Sequence, residues 1–181
     1  MNSNIPLLSE PELLERIFDH IDNKTTDLGD TVRKEPVSNY LSEERFNSEI
    51  DLLRRLPVVF CLSAMLPDKG SYVARKAAGS PLLVVRGDDG KVRAFINACR
   101  HRGMQVAKDS GCARSFVCPY HAWTYDAEGA LIGRYGAETF GEVDPADFHL
   151  TELPCAERCG LIWVTLTPSQ SMDIDAWLGD F

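Results

Sequence analysis

Two short stretches, Cys99-Arg-His101 and Cys118-Pro-Tyr-His121, separated by 16 residues, constrain this 181-residue chain more than any other feature. Each follows directly on a run of strand-like composition, which places each on a loop at a strand end. Two loops that each offer one thiol and one imidazole combine only if the fold brings them face to face. A [2Fe–2S] cluster takes four protein ligands, two per iron, and a mixed set puts two thiolates on one iron and two imidazoles on the other. The order Cys, His, Cys, His suits that division. Tetrahedral zinc would also accept two Cys and two His. Common zinc modules, however, pair Cys with Cys and His with His along the chain, whereas here each close pair is mixed. A zinc-stabilised interaction module remains the less favoured alternative.

Outside these loops the chain has two textures. Ser9-Glu-Pro-Glu12 matches a capping box, and Leu13, Leu14, Ile17, Phe18 and Ile21 follow at helical spacing, which predicts an amphipathic helix over about 10–22. Ser42 caps a second predicted helix, with Phe46, Ile50 and Leu53 at i, i+4 and i+7, and Pro57 stops it. Both helices read as packing elements of an N-terminal helical arm over 1–56. From residue 57 short β-branched or alternating runs are separated by Gly, Asp and Pro, the pattern of small antiparallel sheets. The expected fold is therefore mainly β over 57–168, with two cluster-binding hairpin loops. Residues 82–86 and 91–96 flank Gly87-Asp-Asp-Gly90, and residues 123–125 and 130–132 flank Asp126-Ala-Glu-Gly129, both plausible hairpin turns. GLIWVTLT at 160–167 reads as a closing strand, and 169–181 has the composition of a linker ending in the apolar pair Trp177 and Leu178.

The formal charge of −8 argues against a nucleic-acid partner, and its distribution is more informative. Residues 1–56 hold 12 acidic and 7 basic side chains, residues 57–134 hold 6 and 11, and residues 135–181 hold 9 and 1. A positive middle inside an acidic chain suits docking of an acidic protein or domain. No basic stretch followed by an apolar run opens the chain, and no segment approaches the roughly 18 uninterrupted apolar residues of a membrane span. A cytoplasmic, reducing setting without a membrane partner is the expectation. There the remaining cysteines, Cys61, Cys112, Cys155 and Cys159, are ordinary thiols. His20 and His149, each without a neighbouring histidine, read as solvated or structural.

NACRHRG at 97–103 and CPYHAWTYD at 118–126 resemble the cluster loops of Rieske oxygenases. The likeness is to the Rieske domain of the large (alpha) subunit of aromatic-ring-hydroxylating dioxygenases, and it runs over roughly 57–168. The resemblance implies that Cys99 and Cys118 hold the inner iron and that His101 and His121 hold the outer one. It implies electron transfer through the histidine side, with Arg100, Arg102, Tyr120, Trp123 and Tyr125 as neighbouring or docking residues. Respiratory Rieske proteins place an extra cysteine in each loop and join the two. Met104 and Tyr120 stand there instead, and Trp123 replaces a serine that bonds a sulfide, although the tyrosine is kept as Tyr125. Fewer hydrogen bonds to sulfur lower the potential, toward the bottom of the range of about −150 to +300 mV for such centres. The potential is also expected to fall with rising pH, because a ligating imidazole has a ring N–H that becomes more acidic in the oxidised state.

A complete oxygenase of this kind also needs a mononuclear Fe(II) in a triad of two histidines and a carboxylate. His20 and His149 do not make one, so that iron is expected only in a catalytic domain absent from this chain, which should not hydroxylate alone. The resemblance implies an oxidoreductase part in aromatic hydrocarbon catabolism. Its implied donor is a ferredoxin or flavin reductase, its acceptor the mononuclear-iron domain, and assembly with further copies of itself is compatible. A stand-alone Rieske ferredoxin-like carrier is the alternative.

Overall fold

The computed structural model describes residues 8–29, 31–139 and 141–179. Residues 1–7 and 180–181, parts of the expected arm and linker, lie outside them. The described chain divides into two compact units, one up to Leu41 and one from Ser42 onward.

In the first unit, helix α1 (Glu10–Asn23) begins where the capping pattern predicts. The Glu12 carboxylate accepts from the Ser9 N–H at 2.8 Å and from its hydroxyl at 2.6 Å. Leu13, Leu14, Ile17, Phe18 and Ile21, the face expected to pack, are each 44% to 63% exposed. A single turn, α2 (Ser38–Leu41), follows and was not marked by the sequence.

The second unit opens with α3 (Glu43–Arg55), where the Ser42 hydroxyl accepts from the Arg45 N–H at 3.2 Å. Among the described residues eleven short strands then form three antiparallel sheets. One joins β1 (Val58–Leu62), β11 (Leu161–Val164) and β10 (Cys155–Arg158) in that order. The largest orders β5 (Asp109–Cys112), β2 (Ser71–Ala77), β3 (Ser80–Arg86), β4 (Val92–Ile96) and β9 (Glu152–Leu153). The third joins β6 (Ser115–Val117), β7 (Thr124–Asp126) and β8 (Leu131–Gly133).

Strand β3 explains why its LLVV run does not alternate: it is buried on both faces. Side chains alternate across a strand, so Leu82 and Val84 enter one core with Phe60, Ala94, Ile162 and Val164, while Leu83 and Val85 enter another with Phe95, Phe116, Trp123 and Tyr125. Each such side chain contributes roughly 1.5–3 kcal/mol of burial. Both predicted hairpins form. In the second, Gly129 lies at φ +85° against the Phe95 ring, a position with no room for a Cβ.

The stretch from 169, of linker composition, carries a short helix α4 (Ile174–Leu178) capped by the Asp173 carboxylate, which accepts from the Ala176 N–H at 2.9 Å. Gln170 donates to the Arg55 carbonyl at 2.6 Å, and Arg158 pairs with Asp175 at 2.8 Å, so tertiary contacts order it.

Candidate metal centre

The first candidate loop leaves the end of β4, and the second connects β6 to β7. Their backbones repeat one another. In the first, the Cys99 N–H donates to the Met104 carbonyl at 2.8 Å and the Gly103 N–H returns to the Cys99 carbonyl at 2.8 Å. In the second, the Cys118 N–H donates to the Trp123 carbonyl at 2.8 Å and the Ala122 N–H returns to the Cys118 carbonyl at 3.0 Å. Gly103 and Ala122, each four residues beyond its cysteine, both take left-handed φ, +75° and +53°. Histidine occupies the third residue of one loop and the fourth of the other.

The fold brings all four candidate ligands together and sorts them by type. Cys99 and Cys118 are each 3% exposed and belong to one buried cluster. His101 and His121 are half-buried, with ring centroids 4.7 Å apart. Burial pushes the Cys99 thiol up and the neighbouring Cys118 thiol adds to that, while the Tyr125 hydroxyl opposes it. The His101 imidazole is held below its ordinary pKa by desolvation first, then by His121 and Arg102. Thiols and imidazoles brought together in this way are the donors that a metal centre takes up as thiolates and neutral rings. His121 Nδ1 is buried and has no hydrogen-bond partner, which leaves a costly unsatisfied nitrogen. A mixed Cys₂His₂ cluster is a donor set that answers each of these features, so the residues present fit it. Among the described residues no three His, Cys, Asp or Glu side chains gather around one point as for a single ion.

Aromatic plates flank the imidazoles. Trp123, 2% exposed, stacks on His101 with centroids 5.0 Å apart and 11° between planes, and Phe148 meets the indole edge-on at 5.6 Å. Tyr120, 54% exposed, stacks on His121 at 3.8 Å, with the Arg102 guanidinium 5.9 Å from its centroid. The buried Tyr125 hydroxyl sits 3.4 Å from Cys99 Sγ and accepts the Arg100 N–H at 3.0 Å. The Arg100 and Arg102 side chains face solvent.

The remaining candidates are occupied elsewhere. His149 Nδ1 accepts the Leu131 N–H at 3.0 Å, and His20 bridges Thr25 and Asp27 at 3.0 Å each. Cys61 and Cys155 are pushed up by burial, Cys155 to about 12, which keeps both thiols neutral. Sequence reasoning overlooked Asn97, Ala122 and Phe148. An asparagine at the mouth of a loop was the available signal, because such side chains bond to nearby backbone.

Residues 57–140 match the Rieske [2Fe-2S] domain family. That segment holds all four candidate ligands, and a Rieske domain carries a [2Fe–2S] cluster. More narrowly, it is similar to oxygenase large subunits. It is 31% identical over 144 residues to the chlorobenzene dioxygenase subunit alpha of Cupriavidus sp. (strain PS12), covering 78% of this chain and 32% of that one. It is 34% identical over 106 residues to the glycine betaine monooxygenase oxygenase subunit of Pseudomonas aeruginosa, covering 58% and 24%. The fold superposes on the quaternary ammonium Rieske monooxygenase CntA with TM-score 0.75 and 26% identity, over 82% of this chain and 42% of that one. On naphthalene 1,2-dioxygenase from Rhodococcus sp. the TM-score is 0.73 with 28% identity, over 96% and 39%. The chain thus spans about a third of the length of the curated relatives it matches.

Proposed function

We propose that this chain passes single electrons, with Cys99, Cys118, His101 and His121 holding a Rieske cluster, as the electron-transfer part of a ring-hydroxylating oxygenase. The observation that carries this reading is the sorting of donors: thiols 3% exposed in the core, imidazoles together and half-buried, and the buried Nδ1 of His121 without a hydrogen-bond partner. A bound cluster supplies one-electron chemistry at a Cys₂His₂ set.

The chain's own residues do the rest. Cys99 and Cys118 would hold a cluster as thiolates, and the protons they release would make its binding depend on pH. The Tyr125 hydroxyl lies 3.4 Å from Cys99 Sγ, where it would donate to a thiolate and favour the electron-rich form of the site. Trp123 and Tyr120 cover one face of each imidazole and keep water from it, while the outer edges of the rings remain open to a partner. Arg100 and Arg102 add positive charge around that opening and steer an acidic partner toward it.

The reading extends to a ferredoxin or flavin reductase as donor and to a mononuclear iron in a catalytic domain outside these residues as acceptor, in an assembly with further copies, in the cytoplasm. Its support is the likeness to alpha subunits of oxygenases. No helix among the described residues is long and apolar enough to cross a membrane. The domain division that goes with this reading is an arm over 1–56, a cluster domain over 57–168 and a linker from 169.

The test is absorption and electron paramagnetic resonance of anaerobically purified protein before and after dithionite. A reduced-state signal with an average g below that of all-cysteine [2Fe–2S] centres, lost in His101→Cys and His121→Cys, is the expected result. A colourless protein with stoichiometric zinc and no iron overturns it. Reduced protein that re-oxidises on mixing with an iron-loaded oxygenase catalytic domain supports the oxygenase assignment, and failure to do so leaves a stand-alone carrier.

A further inference from the structure

Strand pairing closes one candidate loop and not the other. The second loop sits on a ladder, because β6 and β7 pair up to Val117 and Thr124 at its mouth. The first loop lies between β4 and β5, and these never pair with each other. β4 pairs with β3 and β9, and β5 pairs with β2. No strand pair therefore closes this loop directly: the sheet relates residues 97 and 107 only across the two intervening strands β2 and β3, and Cys99 and His101 hang between them.

A side chain stands in for the missing ladder. Asn97 is 2% exposed, one of few buried polar residues, and burying an amide is costly unless its bonds are made. Its Nδ2 donates to the Ala107 carbonyl at 2.9 Å, and its Oδ1 accepts from the Val106 N–H at 2.9 Å and the Ala107 N–H at 3.2 Å. Its own N–H donates to the Pro81 carbonyl of β3 at 2.9 Å, which ties the closed loop to the central strand.

We propose that Asn97 is a positioning residue for the metal centre, clamping both ends of the first loop so that Cys99 and His101 meet Cys118 and His121. This rests on the four-ligand reading above. The clamp acts on geometry at the ligands as well as on stability, and that separates it from an ordinary buried hydrogen bond.

The experiment compares wild-type holoprotein with Asn97→Ala, Asn97→Asp and, as a control in the opposite core, Val84→Ala. The readouts are the reduced-state resonance spectrum, the midpoint potential and the rate of iron loss to a chelator. Asn97→Ala strands two buried N–H groups and a carbonyl, so iron is lost roughly tenfold faster or more, with shifted g values and potential. Asn97→Asp keeps the acceptor for both N–H groups but sets a second oxygen against the Ala107 carbonyl in a buried site, so its loss rate also rises several-fold, with shifted g values and potential. Val84→Ala lowers the melting temperature and leaves spectrum, potential and iron loss as in wild type. An Asn97→Ala protein with wild-type spectrum, potential and iron loss, and only a lower melting temperature, overturns the proposal. Should Asn97→Ala fail to fold, Asn97→Asp decides: wild-type values in all three readouts overturn it. A wild-type protein without a [2Fe–2S] signal sinks the functional reading itself and is recognised before any variant is compared.

Discussion

In the loop after β4, a glycine takes the left-handed turn, a buried asparagine closes the ends, a tyrosine hydroxyl from β7 reaches the cysteine, and the residue closing the inner ring, Met104, is 45% exposed. In the loop between β6 and β7, an alanine takes the same left-handed turn, strand pairing closes the ends, and the equivalent residue, Trp123, is 2% exposed. One backbone is thus held by hydrogen bonds from side chains in the first case and by a ladder plus an indole in the second. The same loop geometry can be reached through different forces, and substitutions at equivalent positions should not have equivalent effects.

The largest contrast is expected at the ring-closing residues. Trp123→Ala removes the plate on His101, the edge-on contact with Phe148 and a filled volume in the core, at about 3–5 kcal/mol. Met104→Ala changes stability by no more than about 0.5 kcal/mol, because its side chain faces solvent. Calorimetric unfolding of the two holoproteins checks this. Similar melting losses would remove the distinction between the loops.

A smaller contrast separates the hydroxyls. Tyr125→Phe deletes the O–H that lies 3.4 Å from Cys99 Sγ, worth about 1 kcal/mol, or roughly 40 mV for one electron. The potential is expected to fall, because the lost donor favours the reduced, more negative site. The hydroxyl of the second loop, on Thr124, donates to the Ala122 carbonyl at 3.2 Å and touches no sulfur. Thr124→Val therefore leaves the potential in place. Equal shifts in the two variants, read by redox titration, would show that neither hydroxyl acts through the sulfur.

Legibility in the sequence divides along the same lines. The four candidate ligands and the hairpins beside them were readable because each depends on local signals: ligand spacing, turn residues and β-branched runs. The start of α1 was readable from Ser9 and Glu12 for the same reason. The tertiary placement of apolar faces was not. Leu13, Ile17 and Phe18 have a core-facing pattern yet stay exposed, since periodicity says that a face seeks cover without saying what covers it. The role of Asn97 was hidden because it depends on β4 and β5 lying in one sheet without pairing, a fact of topology. Ala122 was hidden because alanine carries no sign of a left-handed turn. The helix α4 arises in a segment of linker composition through contacts to Arg55 and Arg158, which lie far away in sequence or across a sheet.

The finest contrast concerns the turn residues themselves. Alanine at φ +53° bears the clash between Cβ and carbonyl that costs an L-residue about 1–2 kcal/mol, whereas glycine at φ +75° bears none. Ala122→Gly relieves that clash and at the same time loosens the unfolded chain by about 0.4–1 kcal/mol, so the two terms partly cancel and a gain of roughly 0.5 kcal/mol is expected. Gly103→Ala runs the other way. A Cβ there meets nothing within 4 Å, so the cost is conformational alone, about 1 kcal/mol, with no steric addition. Exchanging the two residues in one protein returns stability to within about 0.5 kcal/mol of wild type where the two turn strains are independent, and a departure from that sum measures the coupling between the facing loops. Calorimetry on the two single variants and the exchange variant reads all three values. A Gly103→Ala protein as stable as wild type would mean that the first loop yields at its turn, and that its side-chain ties hold the backbone less tightly than the ladder holds the second.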